Sequence, residues 1–215
     1  MEIAYLITGP IGVNTYIVYG ASEGECVVID PSDTVLVNKK LASLSLKPTA
    51  VLVTHGHFDH ILSVADLQKQ YGAKVYMHKI DEPGLRDESV NLSSIGHIVV
   101  PPCKADVLLT GGETIHEAGF DFHVLYTPGH TKGSVSFAVE SGGRKAVFTG
   151  DCLFHGSMGR SDFPGGDQDE ILNSIGTKLF TLEGNYEVHP GHMEGSTLDF
   201  ERKHNPFMLR WERLS

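Results

Sequence analysis

The apolar run Ala50 to Val53 ends abruptly in Thr54-His55-Gly56-His57-Phe58-Asp59-His60, and no other part of the chain restricts its fold as tightly. A short run rich in Val and Leu, bounded by polar residues, reads as a strand buried on both faces, the kind found in parallel sheets covered by helices. Beyond it come three imidazoles and a carboxylate within six residues. A loop leaving the end of a buried strand aims alternate side chains at one point, so His55 and His57 are placed to share one ion while Asp59 and His60 face another. Four donors this close in sequence cannot all reach one zinc-like ion at ~2.0–2.2 Å without strain, and two divalent ions are the simpler arrangement.

Two ions need more ligands, and three later segments offer one each in the same setting. Tyr126-Thr127-Pro128-Gly129-His130-Thr131, Phe148-Thr149-Gly150-Asp151 and Val188-His189-Pro190-Gly191-His192 all follow strand-like stretches and place His or Asp directly after Gly. Glycine lets backbone approach an ion closely, and a Pro-Gly pair fixes a sharp turn that aims the next side chain. His130, Asp151 and His192 therefore join His55, His57, Asp59 and His60 as candidate metal ligands.

The rest of the chain reads as two rounds of strands and helices. Ile3 to Thr8, Val13 to Tyr19 and Cys26 to Asp30 are β-rich. Asp33 is a candidate N-cap for a helix that ends before Pro48, and a second helix is expected over Leu62 to Tyr71, stopped by Gly72 and followed by strand Lys74 to His78. Asp81 to Pro102 shows no periodicity beyond one short helix. Strands return over Val107 to Leu109, Phe120 to Tyr126, Val135 to Val139 and Ala146 to Thr149. A capping box at Asp167 and Glu170 then opens a helix carrying Ile171, Ile175, Leu179 and Leu182. Two sheets packed face to face with helices outside account for this order.

At 215 residues, 40% of them hydrophobic, the chain suits one α/β domain over 1–215. A net charge of −10, with basic runs no longer than Lys39-Lys40 and Arg144-Lys145, argues against a nucleic-acid partner. Without a span of ~18 apolar residues or a basic leader, the expectation is a cytoplasmic protein with no membrane partner. Cys26, Cys103 and Cys152 form no C-x-x-C pair and fit reduced thiols.

The histidine motif, the later His130, Asp151 and His192, and their spread over nearly the whole chain resemble the metallo-β-lactamase superfamily. The resemblance implies a four-layered αβ/βα sandwich. Within it the sequence is similar to the glyoxalase II group, the hydroxyacylglutathione hydrolases, and to their short single-domain bacterial type. The supporting stretches are Gly156-Ser157-Met158-Gly159-Arg160-Ser161-Asp162-Phe163-Pro164-Gly165-Gly166-Asp167 and Ser196-Thr197-Leu198 through Glu201-Arg202 to Asn205-Pro206-Phe207. By resemblance, His55, His57 and His130 hold one metal, Asp59, His60 and His192 the other, and Asp151 bridges them. The pair is expected to be zinc, with iron or manganese as alternatives. The implied reaction is attack of a metal-bridging hydroxide on a small-molecule thioester such as an S-2-hydroxyacylglutathione, with Asp59 orienting the nucleophile or relaying its proton. Arg160 matches a basic residue that binds the substrate's glutathione part, and Lys132, beside His130, is a second candidate. The chain departs from the group in carrying Met193-Glu194 after the last histidine, and it is expected to lack the C-terminal helical substrate-binding domain.

Other readings compete. A persulfide dioxygenase holds one iron with two His and one Asp, the facial set of oxygen-activating sites, and Gly159 to Phe163 resembles that group as well. A β-lactamase with a cysteine ligand would carry it where Asp151 stands, and a non-catalytic metal protein would need fewer donors. Gly20-Ala21-Ser22-Glu23-Gly24 fits a nucleophile-elbow pattern but lies between two strands, so it reads as a hairpin turn. Cys152 reads as a small buried hydrophobe. His78, His97, His116, His123, His155, His189 and His204 read as surface or supporting groups, with His155 notable on the loop leading to Arg160.

Overall fold

The computed structural model describes residues 1–211 of the chain; residues 212–215, the end of the expected single domain, lie outside the described residues. The first sheet has the order β1 (Glu2–Thr8), β2 (Val13–Tyr19), β3 (Glu25–Ile29), β4 (Lys47–Leu52), β5 (Lys74–His78) and β6 (Val107–Leu109). Its first three strands are antiparallel, as short turns dictate, and β3 to β6 are parallel because helical or irregular crossovers connect them. Gly20 to Gly24 is the hairpin between β2 and β3. Pro48 sits inside β4, where it pairs with Cys26, and the register slips directly after it so that Ala50 meets Val27. A bulge of this kind lets a strand absorb a residue that donates no ladder hydrogen bond.

The second sheet is formed by β7 (Thr114–Glu117), β8 (Phe120–Tyr126), β9 (Val135–Ser141), β10 (Arg144–Gly150), β13 (Glu187–Pro190) and β14 (Ser196–Thr197), in the order β14-β13-β10-β9-β8-β7. A separate hairpin, β11 (Leu153–Phe154) and β12 (Ser157–Met158), follows β10. Helices α1 (Thr34–Ser43), α2 (Phe58–Ile61) and α3 (Val64–Tyr71) belong to the first half. A 3-10 turn over Glu82–Leu85 and one short helical turn, α4 (Ser93–Gly96), interrupt the irregular middle. Helices α5 (Gln168–Ser174), α6 (Leu198–His204) and α7 (Pro206–Trp211) belong to the second half.

Strand alternation divides the core into three apolar layers. Tyr16 and Val18 of β2 face Phe122, Phe137 and Phe148 of the second sheet, whereas Ile17 between them points outward to join Val37, Leu41 and Leu67 of α1 and α3. On the far side, Val147 and Val188 pack under Ile171, Ile175, Leu198 and Met208. The expected four-layered αβ/βα sandwich is thus the observed fold.

Local expectations were met unevenly. Asp33 caps α1 by accepting from the Leu36 amide, and Asp167 caps α5 by accepting from the Glu170 amide. The helix expected over Leu62 to Tyr71 is instead two helices: α2 begins inside the histidine motif, and α3 starts at Val64 after Ser63. The helix carrying Ile171 and Leu179 widens into a π-type turn over Ile175–Leu179. Strand β7 and the hairpin β11–β12 were not expected; each is too short for its alternation to stand out. Among the described residues no helix is long and apolar enough to cross a membrane.

Candidate metal centre

All seven candidate ligands gather at one end of the sandwich. His55 and His57 follow the carboxyl end of β4, and Asp59 and His60 project from the single turn of α2 that the same loop enters. Strands β8, β10 and β13 run in one direction, since two antiparallel steps link β8 to β10 and β13 is parallel to β10. Their carboxyl ends therefore deliver His130, Asp151 and His192 to the same edge.

The donor atoms form three overlapping groups, His55-His57-His130, His55-His60-Asp151 and Asp59-His60-His192, each within 4.8 Å. His60 Nε2 lies 3.4 Å from both Asp59 Oδ2 and Asp151 Oδ1. Asp151 Oδ2 lies 3.5 Å from His130 Nε2 and 3.8 Å from His192 Nε2, so this one carboxylate reaches both ends of the cluster. Tetrahedral ligands at ~2.0–2.1 Å from an ion sit about 3.3–3.5 Å apart, and the 3.4 and 3.5 Å separations match such edges, the 3.8 Å one being longer. Three atoms at the centre, His55 Nε2, His60 Nε2 and Asp151 Oδ1, are buried without a hydrogen-bond partner in the protein. Orphaned polar atoms carry a cost unless something else engages them, and here all three converge. The donor set fits divalent metal ions.

The electrostatics agree. Burial opposes charge on His60, but Asp59, Asp151 and Asp30 outweigh it and raise its pKa to about 10. Burial also pushes Asp59 up, yet His60 and His192 win and hold its carboxyl below the usual range. His55 and His57 are kept neutral, first by burial and then by neighbouring imidazoles, His57 down to about 3. Neutral imidazoles beside ionised carboxylates are the protonation states metal ligands need, and a cation would take the place of the His60 proton.

Several supporting groups escaped the sequence reading. Asp30, at the end of β3 with φ 50°, accepts from the Thr54 amide at 2.8 Å, the Thr54 hydroxyl at 2.6 Å and His60 Nδ1 at 2.9 Å. Asp81 accepts from the Gly56 amide at 2.9 Å, the Thr131 hydroxyl at 2.6 Å and the Gly133 amide at 2.8 Å, tying the two loops that carry His57 and His130. The Arg160 carbonyl accepts from His130 Nδ1 at 2.7 Å. Asn14 of β2 donates to the carbonyls of Pro190 and Met193, and Tyr16 donates to Pro190, which fixes the loop bearing His192. Asp30 and the Arg160 carbonyl orient rings whose other nitrogens face the cluster, and the remaining partners fix the loops that carry them. Acidic residues at strand ends are common, and only the folded pairing distinguishes Asp30 and Asp81 from the rest.

A cavity of about 630 Å³ opens over the cluster, lined by His57, Asp59, His130, Asp151 and His192 on its floor. Arg160 lines it too, but its guanidinium pairs with Asp162 through two 2.7 Å bonds and lies 3.9 Å from the Phe163 ring centroid. Lys132 lines a smaller cleft of about 160 Å³ with Gly56, His57 and Asp81, outside the large cavity. His155 pairs with Glu194 at 2.6 Å. Cys152 is buried next to Asp151, and burial pushes its thiol up to about 12.

Comparison with known proteins supports the geometry. The family described as Metallo-beta-lactamase superfamily matches residues 8–203. The chain is 36% identical over 202 residues to the probable metallo-hydrolase YqgX of Bacillus subtilis, covering 93% of this chain and 94% of that one. It is 31% identical to hydroxyacylglutathione hydrolase GloC of Haemophilus influenzae, covering 86% and 88%. The crystal structure of BLEG-1 B3 metallo-beta-lactamase superposes with TM-score 0.91 at 35% identity, covering 96% and 99%. That of TTHA1623 in a di-iron-bound form gives 0.82 at 36% identity, covering 95% and 99%.

Proposed function

We propose, for a chain that belongs to the metallo-beta-lactamase superfamily, that it is a single-domain dinuclear metallohydrolase acting on thioesters. The observation that carries this reading is the Asp151 carboxylate, which reaches His60 through one oxygen and both His130 and His192 through the other. We assign His55, His57 and His130 to one ion, Asp59, His60 and His192 to the second, and Asp151 to both. Seven donors exceed the two imidazoles and one carboxylate of a mononuclear iron site. The likeness to a protein solved in a di-iron-bound form supports two ions and leaves zinc, iron and manganese as candidates.

When bound, such ions supply Lewis acidity toward a carbonyl oxygen and make hydroxide available near neutral pH. The protein's own part is orientation and proton handling. The Asp30 carboxylate and the Arg160 carbonyl lock the rings of His60 and His130. Asp59, held ionised by its imidazole neighbours, would accept a hydrogen bond from the attacking water or hydroxide and so orient it toward the carbonyl. The apolar walls, among them Phe58, Phe154 and Phe163, lower the polarity around the floor and strengthen these interactions.

Similarity to the hydroxyacylglutathione hydrolase favours thioesters. Similarity to the B3 metallo-beta-lactamase supports a second reading, hydrolysis of the strained amide of a β-lactam on the same floor. Elemental analysis of protein purified without added metal, with thioester, β-lactam and persulfide-oxidation assays on the same sample, decides between them. About two ions per chain with thioester turnover is expected. β-Lactam turnover alone would establish the second reading, and a single iron with oxygen uptake on glutathione persulfide would overturn both.

A further inference from the structure

The cavity above the cluster is apolar on both flanks. Phe163 stands against His57, with ring centroids 5.9 Å apart, and Phe154 stands against His192 at 6.4 Å. Leu92, Ile95 and Ile98 form the wall contributed by the irregular middle of the chain, and Ile11 with Met193 contribute another. A carbonyl compound seated on this floor has two arms, and each flank offers an aromatic ring, with the Arg160 guanidinium lying on the face of Phe163.

Apart from Asp59 and Asp151, the one charged side chain lining the cavity among the described residues is Arg160. Its guanidinium is already committed to Asp162 in a bidentate pair and to the face of Phe163. Asp162 occupies Nε and one terminal nitrogen and offsets the guanidinium charge, so a substrate carboxylate meeting the other terminal nitrogen finds a cation already paired and gains little. A carrier such as glutathione brings carboxylates and an ammonium whose one cationic partner here is an Arg160 already offset by Asp162, and any of these charges that lose water against the apolar walls do so at a cost. Methylenes, by contrast, gain from every contact with these walls.

We infer that the cavity selects thioesters of apolar acids on a carrier without free carboxylates, and that glutathione conjugates are poor substrates. This inference rests on the thioesterase reading and specifies its substrate class.

The test is a series of S-acetyl, S-butyryl and S-octanoyl esters of N-acetylcysteamine, compared with S-lactoylglutathione on the metal-loaded enzyme, together with calorimetric binding of acetate and octanoate. A rise in kcat/KM of about three- to fourfold per methylene is expected, to values above that for S-lactoylglutathione. Octanoate is expected to bind more tightly than acetate. Ile95, 71% exposed on the wall, tolerates a polar residue without disturbing the core, and Ile95→Asp is expected to flatten the chain-length dependence. A flat or falling series with S-lactoylglutathione preferred would overturn the inference and leave the thioesterase reading standing. Octanoate binding no better than acetate would also overturn it. No turnover of any thioester by fully loaded enzyme would sink both.

Discussion

His60 Nδ1 donates to Asp30 Oδ2 at 2.9 Å, which turns the opposite nitrogen of the ring toward Asp59 and Asp151. The pair links the end of β3 to the single turn of α2 and fixes the tautomer of the imidazole at the centre of the cluster. Replacing Asp30 with Ala orphans His60 Nδ1 and the Thr54 amide together. Metal affinity is expected to fall on the order of 10–100-fold, read by competition with a chromophoric chelator. Unchanged affinity would show that the ring is held by packing alone.

Gly191 is where β13 turns into the His192 loop. A Cβ there would lie 2.3 Å from Asp151 Oδ1 and 2.6 Å from His60 Cε1, both side chains of the cluster. Gly191→Ala is therefore expected to lower metal content per chain while leaving the far-ultraviolet circular dichroism of the sandwich in place. A variant that binds its full complement of metal would show that the loop can yield.

The seven candidate ligands were legible as a set because such a crowd of His and Asp is rare and because His130, Asp151 and His192 each follow a strand and a glycine, and the structure brings them together. The sandwich was legible from its alternating strands, except where elements such as β7, β11 and β12 are too short to carry a pattern. The supporting carboxylates were not. Asp30 and Asp81 draw their roles from partners 24 to 52 positions away in sequence, and no local spacing announces such pairing. Adjacency to His130 likewise does not decide on which side of the loop a side chain emerges, and Lys132 lines the smaller cleft that shares His57 with the large cavity.

Asp81 is buried and satisfied by Gly56, Thr131 and Gly133. Asp81→Ala leaves those three donors without their acceptor, and loss of a buried acceptor costs roughly 1–3 kcal/mol for each group stranded. A destabilisation of about 3–5 kcal/mol is expected in urea unfolding of the metal-free protein. A change below about 1 kcal/mol would mean that water replaces the carboxylate.

Acid stability offers a test away from the ligands. His189 packs against the rings of Tyr16 and Phe148, and burial, opposed by Glu187, lowers its pKa from the ordinary 6.5 to about 4. The unfolded chain therefore takes up this proton first. The stability that neutral His189 contributes is complete above pH 6.5, declines between 6.5 and about 4, and is gone below that. His189→Phe keeps a ring and removes the titration, and its unfolding free energy is expected to lose about 2–3 kcal/mol less than wild type over that interval. Parallel profiles would exclude His189 as an acid-sensitive element.

The carbonyl of Gly191 accepts from the Asn14 amide at 2.7 Å, so a strand of the first sheet grips a ligand loop of the second. The cluster likewise draws donors from both halves of the chain, and an ion seated there acts as a removable rivet between them. If a protease nicks the irregular stretch between β5 and β6, two fragments remain, each holding part of the ligand set. They should travel together while the ion is present and loosen once a chelator extracts it, so the integrity of the whole sandwich becomes a reporter of a centre at one end.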